Sequence, residues 1–153
     1  MPTHAEKRNM PWTAQQMYDL VADVASYPKF LPWTAAARIR RRTPVEGGEL
    51  LEADLVISFK LFRERFGSRV TLRPDEKRID VEYLDGPFKY LNNHWQFTDL
   101  PEGGCEVDFF VDFEFRSSML QAVIGMVFNE AMQRIVRAFE KRAMELYGDP
   151  AKG

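Results

Sequence analysis

At 153 residues, 45% of them hydrophobic and 29% charged, the chain has the size and composition of one globular domain, 1–153, that buries roughly two thirds of its unfolded surface. A formal charge of -2 gives no general attraction to nucleic acid, and one cysteine with two histidines leaves no internal disulfide and no zinc-ligand set, so no metal is expected. The opening MPTHAEKRNM lacks an apolar core of signal-peptide length, and no apolar run approaches the ~18 residues that cross a bilayer, so the expected location is the cytoplasm.

A short strand is expected around residues 4–10. Thr13 then caps a helix, with Gln16 in capping-box position and Met17, Leu20, Val21 and Val24 on one apolar stripe. Pro28 and Pro32 in YPKFLPW limit the next segment to a turn or helical piece ending before Trp33. A strand near residues 36–43 runs to a turn at Pro44, Gly47 and Gly48.

Residues 49–73 alternate as a hairpin that turns at Lys60 and Leu61. Leu51, Ala53, Leu55, Ile57, Phe59, Phe62, Glu64, Phe66, Ser68, Val70 and Leu72 share one face; Glu52, Asp54, Ser58, Arg63, Arg65, Arg69 and Arg73 share the other. This turn sets Glu52 opposite Arg69 and Leu55 opposite Phe66, pairing charges outside and apolar groups inside. Ile79, Val81 and Tyr83 alternate in the next strand and Leu91, Asn93, Trp95 and Phe97 in the one after. The longest strand follows, with Cys105, Val107, Phe109, Val111, Phe113 and Phe115 inward.

From Ser117 or Ser118 to Tyr147, with Gly148 beyond, the spacing becomes helical. Leu120, Ile124, Val127, Phe128, Ala131, Ile135, Ala138, Phe139 and Leu146 fall on one face. A sheet with one dry face and one long amphipathic helix must bury them against each other, which predicts an α+β fold: a curved antiparallel sheet of six or seven strands wrapped around the C-terminal helix. A bent sheet on a single helix rarely fills completely, so a cavity is expected between them.

The segments YDLVADVASYPKFLPW (18–33), FRERFGSRVTL (62–72), YLDGPFKYLNNHWQF (83–97) and VDFEFRSSMLQAVIGMVFNEAMQRIVRAFEKRAMELYG (111–148) closely resemble the coenzyme Q-binding protein family, part of the START-like, helix-grip superfamily of lipid and polyketide binders. The resemblance runs nearly end to end, although Thr34 stands where many members carry Cys after the Pro-Trp of the first motif. It implies a helix-grip fold, ubiquinone as bound ligand with no other cofactor, and a carrier role in respiration or quinone biosynthesis. A bacterial relative of that family is described as a ribosome-association toxin, and the wider superfamily contains polyketide cyclase-like enzymes, so two alternatives stand beside the carrier.

No catalytic residue is expected. His4 falls in a fraying N-terminus, His94 alternates outward with Asn92 and Gln96, and no GxSxG, HExxH, P-loop or GxGxxG occurs. Residues expected at the ligand are Phe30, Leu31, Trp33, Leu55, Glu64, Phe66, Ser68, Val70, Tyr83, Asn93, Trp95, Phe97, Phe113, Val127 and Ala131. The aromatic ones either line a tunnel or fill a core. Glu64 is the oddity. Neutral, it donates a hydrogen bond to a quinone oxygen beside Ser68 and Asn93; otherwise the hairpin end overhangs into water, or a bulge turns it outward.

Arg38, Arg40, Arg41 and Arg42, with Arg63, Arg65, Arg69 and Arg73, form a basic surface that carries the ribosome or RNA alternative, meets anionic lipid headgroups, or else is a charge-paired strand face. Nine of the ten residues 119–128 are apolar or Gly, more than one buried face accounts for. Met119, Ala122 and Met126 therefore mark either a surface that docks transiently in a membrane interface, making the protein peripherally membrane-associated, or a patch covered by YPKFLPW or by a homodimer partner.

Overall fold

A computed structural model of the chain describes residues 3–59 and 62–149. The elements in order are β1 Thr3–Met10, α1 Ala14–Ala22, a 3-10 segment Val24–Lys29, β2 Thr34–Val45, β3 Gly48–Phe59, β4 Phe62–Arg73, β5 Arg78–Asp85, β6 Phe88–Asp99, β7 Cys105–Phe115 and α2 Ser118–Tyr147. The strands form one antiparallel sheet in the order β1-β7-β6-β5-β4-β3-β2, against which α2 packs. This is the expected α+β helix-grip arrangement, with seven strands.

Local chemistry accounts for the elements. The Thr13 hydroxyl accepts from the Gln16 backbone N–H at 3.1 Å while the Gln16 amide oxygen accepts from Thr13 N–H at 3.0 Å, a complete capping box. Glu52 faces Arg69 and Leu55 faces Phe66 as expected, while the turn at Lys60 and Leu61 lies outside the described residues. His4 is no fraying residue. It pairs with Val111 in β1, its Nε2 lies 2.9 Å from a Glu6 carboxylate oxygen, and its ring packs against Phe109 and Phe128.

Four register shifts bend the sheet: two between β2 and β3, one at Gly67/Ser68 and one at Phe88/Tyr90. At Gly67 a Cβ would sit 2.5 Å from the Asp85 carboxylate, so any larger residue would displace that side chain. At Gly86 φ is +137°, and a Cβ would meet the Phe66 backbone at 2.9 Å. Pairing of β4 with β5 begins only at Gly67, so residues 62–66 overhang β5.

The contact stripe of α2 differs from the expected one. Phe128, Ala131, Met132, Val136, Phe139 and Ala143 are buried, whereas Leu146 is 50% exposed and Ala138 only half-buried. Contact follows an i, i+4 row inclined to the helix axis, so on a bent sheet it drifts away from Leu146 by the last turn. The C-terminal end is held firmly: Trp12 Nε1 donates to the Gly148 carbonyl at 2.8 Å, Tyr147 Oη donates to the Gln16 carbonyl at 3.0 Å, and Arg8 pairs with Glu140 at 3.2 Å. By contrast, no residue from Ser118 to Val127 is buried.

Candidate functional site: an apolar cavity under the C-terminal helix

Between sheet and helix lies a cavity of about 270 Å³. Its walls include inward positions of five strands: Leu55 of β3, Phe66, Ser68 and Val70 of β4, Ile79 and Val81 of β5, Asn93 and Trp95 of β6, and Phe109, Val111 and Phe113 of β7. Ala131, Met132, Ile135 and Phe139 of α2 form the roof. The roof carries Ala131, a single methyl, where a larger side chain would fill part of the space.

The mouth is apolar as well. Leu31, Trp33, Ile57, Phe59, Phe62, Leu120, Val123 and Ile124 line the cavity while remaining partly exposed, whereas Phe66, Ser68, Val70, Ile79 and Trp95 below them are buried. They come from the overhanging β3–β4 hairpin, the segment before β2, and the first turns of α2. Trp33 adopts φ +62°, an uncommon conformation for a bulky residue. It is held by its carbonyl, which accepts from Ser58 N–H at 2.8 Å, and by its ring, which meets Phe59 at 5.7 Å.

Polar groups in the lining are few. Tyr27 donates its phenol proton to the Val21 carbonyl, and burial, helped by Asp23, pushes its pKa far above the ordinary tyrosine value. Asn93 Nδ2 donates to the Phe110 carbonyl at 2.8 Å. Two hydroxyls are only loosely engaged: Ser68 Oγ to the Ala53 carbonyl and Thr34 Oγ1 to the Pro32 carbonyl, each at 3.4 Å. Both can turn toward an acceptor in the cavity, as can the second N–H of Asn93. Among the described residues the lining holds no carboxylate, imidazole or thiol.

Of the residues expected at the ligand, Leu31, Trp33, Leu55, Phe66, Ser68, Val70, Asn93, Trp95, Phe113 and Ala131 line this cavity. Five do not. Glu64 is exposed because the hairpin overhangs β5 at that point. Tyr83 meets Phe88 edge to face and its hydroxyl accepts from Phe88 N–H at 3.1 Å, bridging a stretch where β5 no longer pairs with β6. Phe97 is 2% exposed and packs on Tyr18 in the core below. Val127 points beside the cavity, and Phe30 turns to the other side of its segment, against Tyr27 and Phe139. Val24, Tyr27, Leu91 and Met132 line the cavity without having been expected at the ligand: Val24 and Leu91 were read only as apolar-face positions, Tyr27 lies in a segment with no periodicity to mark it, and Met132 lies off the expected stripe.

Met119 and Met126 are 77% and 86% exposed, and Ala122 is exposed beside them, so YPKFLPW does not cover this patch. The strand arginines are largely neutralised. Arg40, Arg42, Arg65, Arg69 and Arg73 each pair with a carboxylate of the same sheet face at 2.6–3.8 Å. No helix among the described residues is long and apolar enough to cross a membrane.

With this geometry in place, comparison with known proteins is decisive at the level of family. Residues 10–140 match the family described as polyketide cyclase / dehydrase and lipid transport. The chain belongs to that family. It is 37% identical over 147 residues to the ribosome association toxin RatA of Escherichia coli K12, covering 96% of this chain and 90% of that one. It is 32% identical over 153 residues to the mitochondrial coenzyme Q-binding protein COQ10 of Drosophila melanogaster, covering 97% of this chain and 61% of that protein, in line with the resemblance read from the motifs. An 18 kDa protein of Caulobacter crescentus, known from a solution structure, superposes with a TM-score of 0.81 at 34% identity, covering 97% of this chain and all of that one.

Proposed function

We propose that this protein is a carrier that takes a ubiquinone-type isoprenoid quinone, or a lipid of similar shape, into the cavity under α2 and releases it unchanged. The observation that supports this most directly is the cavity itself: apolar walls, an apolar mouth, two loosely held hydroxyls and the second N–H of the Asn93 amide, donors suited to ring carbonyls. Its volume suits a substituted ring with a short length of tail, the rest lying along the apolar mouth. Among the described residues the lining holds no carboxylate, imidazole or thiol to act as acid, base or nucleophile, which favours transport over a cyclase-like reaction.

An isoprenoid tail gains little in moving from lipid to an equally apolar cavity, but passing through water costs about 0.8 kcal/mol per methylene. Transfer therefore requires the mouth to meet the bilayer. Met119, Ala122 and Met126, beside Leu120, Val123 and Ile124 at the mouth, supply the docking surface, so the working location is the cytoplasmic face of a membrane.

Trp33 and Trp95 line the cavity and report on its occupant. Titration with a short-tailed ubiquinone should quench their fluorescence saturably, and Val70→Trp or Ala131→Trp, which fill the space, should reduce quinone uptake at least ten-fold in folded protein. Unchanged quinone stoichiometry in these variants would remove the cavity as the binding site.

A second reading, association with ribosomes, is favoured by the similarity to RatA. Co-sedimentation with ribosomes across a salt series separates it from the carrier reading, since phosphate-dominated binding falls steeply with salt.

A further inference from the structure

Five of the eight arginines of β2 and β4 are ion-paired, but a second group of positive charges, set beside the cavity mouth, has fewer counter-ions than cations. A cleft of about 420 Å³ runs between residues 29–32 and the outer face of α2, and its lining includes Lys29, Arg134, Arg137, Lys141 and Arg142 against one carboxylate, Glu145. Arg134 pairs with Glu130 at 3.1 Å and Arg142 with Glu145 at 3.5 Å. Arg137 Nε reaches only the Gln133 carbonyl at 3.3 Å, and among the described residues Lys29 and Lys141 have no counter-ion. Arg134, Arg137 and Lys141 sit at i, i+3 and i+7, where like charges repel along one helix face. In a chain whose formal charge is -2, this is a local cationic concentration that an anion would relieve.

We propose that this cleft binds the phosphate of an anionic phospholipid headgroup and so seats the cavity mouth on a charged bilayer. Two observations favour lipid over polynucleotide. The outer face of α2 that carries Arg134 and Arg137 also carries exposed Met119 and Met126, with Met126 about 12 Å from Arg134 along the axis. Apolar and then cationic along one helix face is the arrangement of a helix lying in a membrane interface. Furthermore, the aromatic in the cleft, Phe30, cannot serve as a base-stacking platform: the Arg142 guanidinium sits 5.6 Å from its centroid, and Tyr27 and Phe139 pack around it.

The cleft and the cavity share one wall. Within a single segment Phe30 and Pro32 face the cleft while Leu31 and Trp33 face the cavity. A headgroup held in the cleft therefore places the mouth beside that lipid's acyl chains, where a hydrophobic ligand resides. The inference rests on the carrier reading for this purpose but not for the phosphate chemistry.

The test is sedimentation with phosphatidylcholine vesicles, with and without phosphatidylglycerol, at several salt concentrations. It compares wild type with Arg137→Ser/Lys141→Ser and, from the opposite wall, Lys29→Ser. All three side chains are exposed, so folding should survive and is checked by circular dichroism. Wild type should prefer phosphatidylglycerol, less so as salt rises, and the double variant should bind those vesicles roughly thirty-fold more weakly. Ubiquinone quenching in detergent should stay at the wild-type level in every variant. Equal binding of both vesicle types, or variants that keep the preference, would overturn the cleft as a headgroup site. Variant-sensitive binding to ribosomes with none to vesicles would overturn the lipid assignment in favour of polynucleotide phosphate. If the cleft variants lose vesicle binding but wild type shows no quenching, the carrier reading fails and the cleft stands.

Discussion

Ser68 is the buried polar side chain of the described residues, 2% exposed, and its 3.4 Å bond to the Ala53 carbonyl is near the limit of a useful hydrogen bond. A hydroxyl so weakly committed in an apolar wall is better placed to donate to a ligand carbonyl than to stabilise the fold. Ser68→Ala should therefore weaken quinone binding about three- to ten-fold in the quenching titration while leaving unfolding by urea nearly unchanged. A loss of stability without a loss of affinity would mark it as structural. Cys105 illustrates the opposite case. Fully buried, its thiol is pushed up from 9.0 to about 11, chiefly by burial and secondarily by Asp99. The folded state thus holds the proton that the unfolded state gives up above pH 9. That contribution to stability is complete below pH 9 and is lost as pH rises through about 11. Alkylation of the native protein should be negligible at pH 9, and Cys105→Ala should flatten the alkaline fall in stability across that window.

Among the elements, α2 divides into two halves with different duties. From Phe128 onward it is clamped by buried contacts and by Trp12, Tyr147 and Arg8; before that it covers the mouth without burying a residue. An element seated this lightly opens at lower cost than the global fold. Met119→Glu/Met126→Glu should reduce vesicle binding and quinone pickup ten-fold or more, with thermal stability nearly unchanged because both side chains are already exposed. Unfolding of this variant, or dissociation of a dimer with vesicle binding intact, would make the methionines structural. That apolar excess over residues 119–128 was legible in the sequence, as were the hairpin register at Leu55 and Phe66, the capping box at Thr13 and the inward set of β7. What alternation could not reveal is where strands stop pairing. Glu64 and Tyr83 have inward phase, yet the late start of β4–β5 pairing leaves one in water and the early end of β5–β6 pairing gives the other a backbone to bridge. The drift of the α2 stripe to Met132, Val136 and Ala143 likewise depends on sheet curvature, a tertiary property.

For the whole molecule, a sheet bent at its register shifts and a single long helix leave a void between them, and the lining decides what enters it. Dense packing below, around Trp12, Met17, Phe97 and Cys105, supplies the stability that lets the upper half remain unfilled. The charge distribution is consistent with the same use, since Arg40, Arg65 and Arg69 on the sheet are ion-paired while a group of cations with one carboxylate gathers where the mouth segment meets α2. The most direct measurement is solvent extraction of protein freshly purified without detergent, followed by mass spectrometry of what it carries. A carrier should yield an isoprenoid quinone at up to one per chain, and Ala131→Trp protein prepared in parallel should yield at least ten-fold less. Wild-type protein that carries no hydrophobic molecule and takes up none from quinone-loaded vesicles would contradict the proposed function.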